Sequence, residues 1–136
     1  MLSPSWATLR LFLHVLAATV WVGGQFVLVA LVRPLRALSP DAPRVAARHF
    51  NRIAWPAFGV LLATGVWNVA SVHVGDTSTA YQVTLFAKVL VVALSGVGAF
   101  VHTHADGRRA ALALGGALAG LGALGAVFLG VLLHAG

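Results

Sequence analysis

Two side chains stand out for the chemistry their surroundings imply: His14, in the run Leu13–Gly24, and Lys88, alone inside the apolar run Val83–Leu94. A lysine well inside a hydrophobic span costs roughly 2.5–3.5 kcal/mol on insertion scales, so something within the protein must compensate it. The chain has no Glu, and its three acids, Asp41, Asp76 and Asp106, fall in predicted loops. No carboxylate is available at membrane depth, which points to a cavity, a bound anion or a cofactor beside Lys88. Outward snorkelling of the amine is the competing reading.

Helical spacing gathers further polar residues around these two. Arg10, His14, Trp21 and Gln25 fall on one face about 60° wide at 100° per residue. Tyr81, Thr84, Lys88, Ser95 and His102 share a second such face, and Thr64, Asn68 and Ser71 a third. Narrow polar stripes on apolar helices turn inward in a membrane bundle. At 1.5 Å per residue, His14, Lys88 and Asn68 lie about 9, 6 and 10 Å to the outer side of their helix midpoints. The expectation is one pocket in the outer half, lined by His14, Lys88, Asn68 and Thr84, above an inner half closed by apolar packing. Trp21 is the tryptophan expected to reach such a pocket; Trp6, Trp55 and Trp67 suit a membrane-interface belt.

The remaining histidines divide by position. His73 and His134 lie at the outer helix ends. With His14 they would form a three-imidazole cluster of the kind that suits Cu(II), Zn or Ni; singly they read as interfacial. His49, His102 and His104 lie on the opposite face beside arginines, where structural roles are expected. No Gly-rich phosphate loop, HExxH motif or pair of carboxylates is present, which excludes the corresponding enzyme classes. Ser95 lies about 10 Å along the axis from Lys88, too far for a Ser–Lys dyad.

These residues need elements to position them. Four apolar stretches are each long enough to cross roughly 30 Å of hydrocarbon. The spacing predicts helices over about 6–33, 51–71, 81–103 and 109–133, with Trp55-Pro56 opening the second helix, where proline is tolerated. At 136 residues, 60% hydrophobic and 9% charged, the chain reads as all-α: one integral-membrane four-helix bundle over 1–136 in up-down order. The first stretch exceeds a signal-peptide h-region and is broken by His14 and Gln25, so it reads as a permanent helix. Cysteine is absent, which excludes disulfides and thiolate sites.

The net charge of +6 is distributed by membrane side. Arg33, Arg36, Arg44, Arg48 and Arg52 surround the first connection and Arg108 and Arg109 the third, against Arg10 near the other face. This is a positive-inside bias. It predicts a multi-pass protein of the cytoplasmic membrane with both termini outside, the lipid bilayer as its main partner and no nucleic acid. The fourth helix is rich in glycine (Gly115, Gly116, Gly120, Gly122, Gly125, Gly130), and small-xxx-small spacing permits close helix approach. Packing within the bundle is the favoured use, with a homo-oligomer or a larger membrane complex as the other.

Leu13–Gly24, with His14 and Trp21-Val22-Gly23-Gly24, resembles the first-helix signature of the copper resistance protein D (CopD-like) membrane domain. Phe50–Ala54 followed by Leu62-Ala63-Thr64-Gly65 is similar to that family's second helix, and Leu85–Val89 to its third. The resemblance implies an inner-membrane bundle linked to copper uptake or tolerance. It borders on the HemJ-like protoporphyrinogen oxidases, small haem-binding bundles in which a first-helix His and a later-helix Lys are functional; His14 and Lys88 fall at those places.

Copper handling through a His14-centred site is thus the leading expectation. Cu(I) carriers favour Cys and Met ligands, and this chain has no Cys and only Met1, so a copper site here must be built from imidazole. The alternative is a haem-b redox protein or subunit, with His14 as axial ligand, Trp21 and phenylalanine against the macrocycle, and Lys88 or Arg10 facing a propionate. A third reading is an accessory subunit without a cofactor.

Overall fold

The computed structural model describes residues 4–136. Its four long helices are Trp6–Leu38, Ala42–Ala70, Thr79–Thr103 and Arg109–Ala135, each long and apolar enough to cross a membrane. No strand occurs among the described residues. The expected all-α architecture of membrane-length helices is therefore observed. Contacts divide the chain into two units that meet between His73 and Val74. Each is an antiparallel helical hairpin, so the up-and-down order holds within each pair.

Local sequence explains where the helices start and stop. Ser5 begins the first with a capping box: its Oγ accepts from the Thr8 amide at 3.2 Å while Thr8 Oγ1 accepts from the Ser5 amide at 3.4 Å, satisfying two otherwise orphaned donors. Ser78 caps the third helix by accepting from the Tyr81 amide at 3.2 Å. The turn before the fourth places Asp106 and Gly107 in the left-handed region, with φ of 48° and 79°. Aspartate tolerates that conformation and glycine adopts it freely.

Two boundaries differ from the sequence reading. The first helix runs on to Leu38 rather than ending near residue 33, and the second begins at Ala42 rather than near residue 51, with proline in its first turn. Its first turns are arginine-rich and carry no apolar run, so hydropathy does not report them. Pro56 consequently lies inside this helix and does not open it; it removes one backbone donor from the ladder. Within the first helix, Thr19–Gly23 forms a π turn. A turn of this kind holds an extra residue, so the uniform 100° wheel that aligned His14, Trp21 and Gln25 stops holding at Thr19.

The packing suits lipid rather than water. Large apolar side chains such as Val29, Phe86, Leu121 and Phe128 are exposed. The buried hydrophobic residues are alanines, with Trp21 the one large exception among the described residues. In hydrocarbon, close backbone approach and hydrogen bonds between helices replace the hydrophobic drive.

Candidate functional site

The first hairpin carries most of the polar chemistry, and its two helices meet through a repeated device. Thr64 Oγ1 lies 2.6 Å from the Val60 carbonyl and 3.2 Å from that of Leu61. Carbonyls only accept, so the single hydroxyl proton is committed to its own helix. His14 Nδ1 lies 2.8 Å from the same oxygen and must therefore donate to it. A ring nitrogen that donates to a fixed acceptor orients the imidazole, as the far-nitrogen hydrogen bonds of ligating histidines do. Gly65 lies against the ring: a Cβ there would stand 3.7 Å from His14 Cε1.

One turn toward the N-terminus, Arg10 repeats the pattern. Its Nη1 donates to Ser71 Oγ, and Ser71 Oγ donates to the Trp67 carbonyl at 2.8 Å. The guanidinium also lies 5.8 Å from the centroid of the Trp67 ring, within cation–π range. Arg10 Nε is buried and has no hydrogen-bond partner among the described residues. A buried donor left unmet is costly, so this position is suited to an acceptor that the described residues do not supply. Asn68, half-buried, lies one turn along from Thr64 between the two relays.

Toward the other end Trp21 is 4% exposed. Its ring lies 4.3 Å from that of Phe58, tilted by 31°, and meets Trp55 edge-on at 5.6 Å, the latter a geometry that aromatic quadrupoles favour. Gln25 Nε2 donates to the Trp21 carbonyl at 3.0 Å. Gly24 is required where it stands, because a Cβ would collide with the Phe50 ring. The residues that carried the sequence resemblance thus meet in pairs, His14 with Thr64 and Gly65, and Gly24 with Phe50. Helical stripes located His14, Thr64, Arg10 and Ser71; they did not find Trp55, Phe58 or the tryptophan under Arg10. For Trp67 a signal existed, since it lies four residues before Ser71.

The second hairpin is built differently. Lys88 turns along the seam between its helices: a Cβ at Gly130 would stand 3.0 Å from Lys88 Nζ. Ser95 Oγ donates to the Ala119 carbonyl at 2.8 Å, and His102 Nδ1 donates to the Leu112 carbonyl at 2.7 Å. Gly115, Gly116, Gly122, Gly125 and Gly130 all face the third helix, whereas a Cβ at Gly120 would meet nothing within 4 Å. Much of the glycine-rich face is therefore engaged inside this hairpin.

The other histidines make local bonds or lie exposed. His49 Nδ1 donates to the Val45 carbonyl at 3.1 Å. His104 Nδ1 donates to that of Phe100 at 2.9 Å, with the two rings stacked at 4.2 Å. His73 follows the second helix and His134 lies in the last turn of the fourth, both exposed. Among the described residues no group of three or more His, Asp or Glu is placed to hold a metal ion. Comparison with family models, curated proteins and solved structures gives no match.

Proposed function

We propose that this chain is a multi-pass protein of the cytoplasmic membrane that holds haem b through His14 and serves electron transfer, alone or as a subunit of a larger redox complex. The carrying observation is the hydroxyl relay on His14, in which Thr64 Oγ1 holds Nδ1 from the facing helix and so fixes the plane of the imidazole. A hydrogen bond to the far ring nitrogen is the usual way in which a ligating histidine is oriented and its basicity set. The unmet Arg10 Nε, four residues before His14 and so about 6 Å along the axis, suits a propionate carboxylate. Haem b, when bound, supplies one-electron chemistry at its iron. His14 would ligate it, Thr64 would orient the ring, Arg10 would balance a carboxylate, and the apolar helices would exclude water.

A copper-handling site would use the same imidazole but needs further ligands. Among the described residues no group of three or more His, Asp or Glu is placed to hold a metal ion. Arginines at the first and third connections support termini on the outer side, which reporter fusions at each end would check.

The test is a visible spectrum and metal analysis of the protein purified in mild detergent after expression with added haem precursor. A Soret band with iron near one per chain is expected. Copper without a Soret band would move the assignment to copper handling, and a colourless, metal-free protein would leave an accessory subunit.

A further inference from the structure

The early start of the second helix builds a surface that hydropathy conceals. Arg44, Arg48 and Arg52 fall on successive turns of one helical face, each about 6 Å further along the axis and 40° around it. Arg33 and Arg36 project from the last turns of the preceding helix. All five are exposed. The one acid nearby, Asp41, reaches Arg44 at 3.9 Å, with the two side chains 81% and 77% exposed, a pair of the kind that contributes little. Five arginines against one aspartate leave the connection strongly cationic.

We propose that this connection docks the headgroups of anionic phospholipids in the leaflet where the first helix ends and the second begins. Three observations commit the surface to lipid. The cations flank two helices apolar enough to span a membrane, so the phosphates nearest to them belong to that bilayer. Exposed aliphatic side chains, Leu38, Val45 and Ile53, interleave with the arginines, matching the boundary between headgroup and acyl chain. Every cation here is arginine, whose planar fork engages phosphate oxygens at two points, while the chain's one lysine lies elsewhere. Clusters of basic residues at a membrane surface bind anionic lipid through this combination of charge and depth.

The test is native mass spectrometry of the full chain in detergent, titrated with phosphatidylglycerol or phosphatidylcholine, for the wild type and Arg44→Gln/Arg48→Gln. Retention of phosphatidylglycerol over phosphatidylcholine is expected, with apparent affinity falling about thirtyfold in the double variant and less in Arg44→Lys/Arg48→Lys. Equal retention of the two lipids, or an unchanged preference in the glutamine variant, overturns the proposal. Displacement of the lipid by a short RNA at physiological salt overturns it in favour of a nucleic-acid surface. Should the variant fail to accumulate, the wild type still decides: the preference weakens severalfold between about 50 and about 500 mM salt, and a salt-independent preference contradicts it.

Discussion

The two hairpins solve one problem by different means. Both must hold helices together in a solvent as apolar as their own side chains. The first uses side chains: hydroxyl relays under His14 and Arg10, and a tryptophan wedged between Trp55 and Phe58. The second uses the absence of side chains, with the backbone of Gly98 and Gly115 against the facing helix and one buried serine bonded across the seam. The glycine seam is tight at Gly98 and Gly115, and a cavity of about 270 Å³ opens toward its Ser78 and Gly136 end. A seam of polar relays with an unmet donor at Arg10 has chemistry to offer a ligand, and for that reason the candidate site is assigned to the first hairpin.

Substitutions sharpen the contrast. Trp21→Ala removes the largest buried ring and is expected to cost about 3–5 kcal/mol, read as a lower midpoint of thermal unfolding in detergent. Gly98→Ala follows: its Cβ would stand 2.6 Å from the Ala119 amide nitrogen, a clash with backbone worth about 1–3 kcal/mol or more. Protease sites in the second hairpin should open first. If Gly98→Ala is silent, the seam is looser than described. Thr64→Val and Ser95→Ala each delete one interhelical bond, for about 0.6–1 kcal/mol. Only Thr64→Val is expected to alter the haem spectrum, because it alone releases the His14 ring. Gly120→Ala, which meets open space, is expected to stay within about 0.5 kcal/mol of the wild type.

Much of this was legible in the sequence. Four apolar runs bounded by Pro, Gly, Ser and Asp gave the helices, and helical spacing put Arg10 and His14 on one inward stripe and Thr64 and Ser71 on another, while the pairing of the two across the seam was not read from it. The second helix's start was hidden because Ala42–Arg52 is helical without being apolar, and that error carried Pro56 with it. The π turn at Thr19–Gly23 leaves no mark on hydrophobic periodicity, since it changes which carbonyl an amide reaches and not which residues are apolar. The glycine content of the fourth helix announced close packing, yet pattern alone did not separate Gly120, which meets nothing, from Gly122, which meets Ser95.

The central claim is that His14, oriented by Thr64, is the ligand on which cofactor binding depends. The most direct measurement is a titration of the detergent-purified chain with haem b, followed at the Soret band, for the wild type and His14→Ala. The account predicts saturation near one haem per chain in the wild type and an affinity at least about a hundredfold weaker in the variant, the equivalent of about 2.7 kcal/mol. Superimposable binding curves for the two proteins would contradict it.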